Sequence, residues 1–180
     1  MAHQRKLIRH AVVALLVSAN TAAGARVKGT RIEPNKKSQL PAISVYTLSE
    51  TSDDKDTAPI ELTRELKLEI TGWVSHSDAL PVDDAMDDLA EQIEAAMAAD
   101  YYITNTVAAQ MLEATEMQVL EDDGRSDPLV GIVVLTYSIT YRTDQGETAV
   151  DDLVTVVATE DLVGGVSDTV PASDQFQEAQ

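Results

Sequence analysis

The sequence contains no cysteine. That excludes disulfides, thiolate nucleophiles and cysteine-based zinc sites together. It leaves the compartment open, since a reduced cytosolic chain and a cysteine-free secreted one look alike. Aromatic residues make up only 4%, with one Trp and one Phe, so the core has to be built from Ala, Val, Leu and Ile. The three histidines, His3, His10 and His76, are scattered and show no paired spacing of a metal site. There is no P-loop and no GxGxxG fingerprint, and no basic-aromatic interleaving that would make a platform for single strands. No cofactor is expected.

Positive charge is the other scarcity, and it is unevenly placed. Residues 1–40 hold eight Lys/Arg and one acid, a net of +7, whereas the other 140 hold five Lys/Arg and 30 acids, a net of −25. An acidic body repels phosphate and argues against direct nucleic-acid recognition. The basic N-terminus is suited to phosphate, to an acidic partner or to the acidic body of a neighbouring copy. Opposite patches on one chain make the last a natural head-to-tail contact.

With 180 residues, 44% hydrophobic and 24% charged, the chain suits one domain with its own core plus a tail. Met1 to His10 is basic, Ala11 to Ala19 apolar, and Ala23-Gly24-Ala25 has the small-x-small form of a signal cleavage site. The competing reading, which is preferred, is a first helix: Ile8, Val12, Leu15 or Leu16, and Ala19 recur at helical spacing, with Gly24 as its C-terminal cap. The apolar run is well short of the ~20 residues that cross a bilayer, and no membrane partner is expected.

The periodicity then predicts a short strand within Arg26–Arg31, a polar loop over 33–39, a strand over Ala42–Leu48 and a polar loop over Ser49–Pro59. The clearest strand is Glu61–Val74. Leu62, Leu66, Leu68, Ile70 and Val74 share a face, interrupted by Arg64, whose head is expected to reach an acid. Ser77 to Pro81 has helix-start chemistry, with Pro81 in the first turn. The helix runs to about Ala99, with Ala85, Met86, Leu89, Ala90, Ile93, Ala96 and Met97 as its buried stripe. After a link at Tyr101–Ala109, Glu113–Glu121 and Leu129–Thr143 read as an antiparallel pair around the turn-like segment 122–128. Residues 144–180 hold nine acids and no Lys or Arg. Val150, Leu153, Val154, Val156 and Val157 suit one short element there, followed by a flexible or partner-ordered arm.

These elements predict an α+β domain: an antiparallel-rich mixed sheet of four to five strands packed by two main helices over residues 1–143, with an extended acidic arm over 144–180. No catalytic constellation stands out. Ser75-His76-Ser77-Asp78 reads as a polar turn that starts a helix, because triads are assembled in space and no nucleophile elbow accompanies it. Asp84, Asp87, Asp88 and Glu91 lie along one helical face and read as a solvated or partner-facing side. Asp53-Asp54-Lys55-Asp56 and Glu121-Asp122-Asp123 read as wet loops that do not fit calcium-loop spacing.

Taken in order, the segments resemble the tail terminator family of long-tailed bacteriophages, the minor tail protein U group. The first helix is followed by a strand around Arg26-Val27 and a Pro-led strand, Pro41-Ala42-Ile43-Ser44-Val45-Tyr46. Next comes the alternating strand Arg64-Glu65-Leu66-Lys67-Leu68-Glu69-Ile70, then an acidic helix, Asp83-Asp84-Ala85-Met86-Asp87-Asp88-Leu89-Ala90-Glu91-Gln92-Ile93-Glu94. The closing strand is Leu135-Thr136-Tyr137-Ser138-Ile139-Thr140-Tyr141. The resemblance covers roughly residues 5–143. It implies a non-enzymatic virion protein: a homo-oligomeric ring, usually of six subunits, at the head-proximal end of the tail. One face would meet the major tail tube protein and the other the head-completion and neck proteins. Arg5, Lys6, Arg9, Arg26 and Arg31 on the basic side, and Asp53, Asp54, Asp56, Asp122 and Asp123 on the acidic side, are the expected subunit or partner contacts. A head–tail joining protein of related fold and an exported binding domain with a signal peptide are the alternatives.

Overall fold

Five strands and two helices follow one another in the computed structural model, which describes residues 3–30, 37–55, 61–75, 81–120 and 130–144. Helix α1 (Gln4–Ser18) leads to the two-residue strand β1 (Val27–Lys28). A 3-10 turn at Lys37–Gln39 precedes β2 (Ala42–Lys55), and β3 (Glu61–Ser75) pairs back along it. Helix α2 (Val82–Ala99), β4 (Ala109–Leu120) and β5 (Val130–Asp144) complete the order. The sheet order is β1-β2-β3-β5-β4. Only β1 against β2 is parallel; β2–β3, β3–β5 and β4–β5 are antiparallel. This is the expected α+β class with a mixed, antiparallel-rich sheet. All the described residues fall in one compact unit, Met1–Glu147.

The helices form because their apolar residues repeat at helical spacing. Helix α1 buries Ile8, Val12 and Leu16 completely, each one turn from the next. Its N-cap is His3, whose ring accepts from the Arg5 amide. The left-handed residue after its end is Asn20 (φ 54°), and Gly24 serves a separate turn in which its amide donates to the Thr21 carbonyl. The expectation of Gly24 as the cap is corrected: Asn tolerates that conformation, and the helix has already ended at Ser18. Helix α2 buries every residue expected of it, and Val82 as well. Pro81 is its N-cap and not a first-turn residue. Its early Asp83 and Asp84 lie at the positive end of the helix dipole.

Helix α2 lies across β3 and β5, and two glycines make the approach possible. A Cβ on Gly72 would sit 2.7 Å from Leu89 Cδ2 and 3.0 Å from Val133 Cγ1, and one on Gly131 would sit 2.7 Å from Met86 Cγ. The inner face of the sheet, Leu66, Leu68 and Ile70 with Val133, Leu135, Tyr137, Ile139 and Tyr141, is buried beneath the helices.

Two strands differ from expectation. The polar stretch from Ser49 to Lys55 is not a loop but the far half of β2, where Ser49 to Lys55 pair with Lys67 to Glu61. Cross-strand pairing holds residues that lack an apolar pattern of their own. Strand β4 begins at Ala109, four residues before the expected start, because Ala109 and Gln110 pair with Thr140 and Ile139. Both strands contain a register shift, at Thr47/Ser49 and at Leu112/Ala114. Each shift exchanges the inward and outward residues beyond it. Arg31, the loop 33–36, Asp56, the 76–80 segment, the turn over 122–128 and the acidic arm beyond Asp144 lie outside the described residues.

Candidate functional site

The register shift in β2 places Glu50 opposite Leu66, on the inner face. Its side chain is 8% exposed and meets three partners. Arg64 Nη1 donates at 2.6 Å, the Tyr141 hydroxyl donates at 2.5 Å, and Arg5 Nε of α1 lies 3.5 Å away. Arg64 Nε also donates to Thr143 Oγ1 at 2.9 Å. The acid that Arg64 was expected to reach is therefore Glu50. Burial pushes the Glu50 carboxyl up, but the hydrogen bonds from Tyr141 and Arg64, with the charges of Arg5 and Arg64, outweigh it and hold it below its ordinary value. Burial and the bond to Glu50 push the Tyr141 hydroxyl up.

The helix-free face is polar along its middle. Ser138 Oγ donates to Glu65 at 2.8 Å, and Lys67 lies 3.0 Å from Glu65 and bonds Glu113. Hydrogen bonds from Ser138 and Lys67 lower the Glu65 carboxyl, and those to Glu113 and Glu65 raise the Lys67 amine. Tyr46 bonds Glu69, and Thr71 Oγ1 donates to the same carboxylate at 3.2 Å.

Of the expected contact residues, Arg5, Lys6 and Arg9 lie on α1. Arg5 is turned to its own chain's Glu50, and Lys6 is exposed. Arg26 Nε donates to the Pro41 carbonyl at 2.7 Å, tying β1 to the start of β2. Asp53 is exposed on β2, and Asp54 is in the same strand. Arg31, Asp56, Asp122 and Asp123 lie outside the described residues. The basic residues thus cluster around α1 and β1, while Asp53 stands towards the far end of the β2–β3 hairpin.

Sequence reasoning found β4 and its antiparallel pairing with β5 but not its place at the edge of the sheet. It ends the sheet order, and no strand pairs with its outer side among the described residues. Met111 is 62% exposed, and Met117 and Leu120 are exposed as well. A signal was there in Met111, Met117 and Leu120, interspersed with Glu113, Glu116 and Gln118, beyond the Leu112 and Val119 that pack against the core. Beside its start, a cleft of about 260 Å³ is lined by residues including Met97, Tyr101, Leu112 and Tyr137. Gln110 closes it by donating to the Met97 and Asp100 carbonyls at 2.7 and 3.2 Å, which satisfies the end of α2. Burial and the charge of Glu94 push the Tyr137 hydroxyl up. Among the described residues no group of three or more His, Asp or Glu is placed to hold a metal ion, and no helix is long and apolar enough to cross a membrane.

No protein-family model matches the chain, and no curated protein does. Among solved structures it is similar to a chain of the "Virion of native gene transfer agent (GTA) particle". The identity is 13% and the TM-score 0.33, over 73% of this chain and 93% of that one. A likeness of that size carries no functional argument for this chain. The arrangement is one of surfaces: a basic helix, a strand edge with no partner among the described residues and a polar sheet face crossed by hydrogen-bonded ions.

Proposed function

We propose that the chain is a structural virion protein of a long-tailed bacteriophage, and more narrowly a tail terminator. It forms a ring of copies that caps the finished tail tube, ends tube polymerisation and presents a docking surface to the head. The reading is supported by the order of segments on which the resemblance rests, since the helix, the long strand pair, the acidic helix and the closing strand pair follow one another in that order along the chain and the strands join one mixed sheet. The observation that carries it is the open edge of β4. Twelve residues whose outer side has no partner among the described residues are a template for another chain unless something covers them. An assembled ring covers them. Residues 1–143 serve as the ring domain and 144–180 as an arm for partner contacts.

Immunogold labelling of the chain on intact particles tests the placement. Gold is expected at the junction of tail and head. Label along the tube, on the head shell or nowhere on the particle contradicts it.

A further inference from the structure

Helix α1 turns only one side to the core. On its outer side Leu7 and Val17 are 43% and 41% exposed, and Lys6, His10 and Ala14 are exposed with them. Where α1 passes β1 there is a groove of about 370 Å³, lined by His10, Val13, Ala14, Lys28, Gly29 and Thr30. Gly29 lies beside α1: a Cβ there would be in ordinary contact with Val13 Cγ2 at 3.4 Å and Arg9 Nε at 3.8 Å. The groove is apolar inside and cationic at its rim. Among the described residues Lys6, Arg9 and Lys28 make no ion pair, and Arg9 Nε is buried with no hydrogen-bond partner. A buried guanidinium nitrogen without an acceptor is costly, and the rest of the half-buried Arg9 guanidinium can still take a carboxylate.

The occupant therefore has to bring carboxylates and aliphatic side chains together. The outer face of α2 brings carboxylates alone: Asp83, Asp84, Asp87, Asp88, Glu91 and Glu94 are exposed with no large apolar residue among them. The sequence after β5 brings both. Residues 144–180 contain nine acids and no Lys or Arg, and within them Val150-Asp151-Asp152-Leu153-Val154 and Glu160-Asp161-Leu162-Val163 alternate charge with aliphatic bulk. We propose that the groove between α1 and β1 of one copy receives the acidic, aliphatic segment 150–163 of a second copy. The carboxylates meet Lys6, Arg9 and Lys28, and the Val and Leu side chains cover Val13, Ala14 and Leu7. A ring would supply the second copy at high effective concentration, but the contact needs only two copies, so its test is separate from that of tail capping.

Full-length chain labelled with 15N is mixed with unlabelled chain, cross-linked with a zero-length carbodiimide and mapped by mass spectrometry. Cross-links from Lys6 or Lys28 to the acids of 144–180 are expected in mixed-isotope pairs. They should fall at least several-fold in 1 M salt, where the screening length shrinks to ~3 Å, and at low salt in Ala14→Trp, which fills the groove from an exposed position. Lys28→Glu, read on the Lys6 cross-links, should fall likewise. Circular dichroism checks that both variants keep the fold. Cross-links confined to one copy, lysines joined instead to the acids of α2, no cross-links to 144–180, or cross-links unchanged by Ala14→Trp would overturn the proposal.

Discussion

Arg64 occupies the one position where the apolar inner face of β3 is broken, and its partner explains why the break is tolerated. Its guanidinium is spread over the Glu50 carboxylate and the Thr143 hydroxyl while Tyr141 and Arg5 hold the same carboxylate. Glu50→Gln leaves Arg64, 24% exposed, without its counter-charge. The loss should be about 2–3 kcal/mol in urea unfolding, below the ~3–5 of a fully buried pair because Arg64 keeps some water. The pH dependence has a defined sign. The Glu50 carboxyl is held below its ordinary value of 4.5, so its stabilisation is present above that value and is lost as the pH falls through the lowered one. The wild type should lose stability on that acid limb more steeply than Glu50→Gln; equal slopes would exclude Glu50 as the source. That Arg64 needed an acid was legible in the sequence. Which acid was not, because the identity of Glu50 depends on a register shift near Leu48 that moves even-numbered residues of β2 to the inner face, and alternation alone does not reveal where a strand slips.

The elements with strong periodicity were legible nearly to the residue. Both helices and the inner faces of β3 and β5 follow from apolar spacing, since burial on one side writes its period into the sequence. The far half of β2 and the start of β4 were not, because they are held by pairing with a neighbour and not by apolar residues of their own. Helix α1 illustrates the stronger case. Its reading as a core element predicts that Leu16→Ala, which empties a fully buried site, costs ~2–5 kcal/mol by chemical denaturation. A loss under about 0.5 kcal/mol would mean that α1 is not integral to the fold. At the α2 crossing, Gly72→Ala should be destabilising by ~1–3 kcal/mol, because its Cβ meets branched Leu89 and Val133. Gly131→Ala should be destabilising to a similar degree, because its Cβ would lie 2.7 Å from Met86 Cγ and 2.8 Å from the branched Val82 Cγ2. Thermal melts of the two variants read the loss, and a variant that melts with the wild type would contradict the close approach at the crossing.

At the scale of the whole molecule, charge segregation was legible from composition, but the surfaces that use it were not. The basic residues expected to act as one contact divide into Arg5, bound to its own Glu50, Arg26, tied to Pro41, and Lys6 and Arg9, without ion pairs among the described residues. Self-association should therefore be more sensitive to Lys6→Glu than to Arg26→Ala at low salt, as measured by sedimentation velocity, with the difference disappearing in high salt. The edge of β4 escaped the sequence because an edge is a property of the sheet order, not of the strand. The proposal that this chain ends a phage tail is tested most directly by placing an early stop codon in its gene, in a phage that carries it, and imaging the lysate by negative-stain electron microscopy. Overlong or irregular tubes unattached to full heads are the predicted result. Normal-length tails beside full heads would move the chain to the joining step, and intact infectious particles would contradict a structural role in the virion.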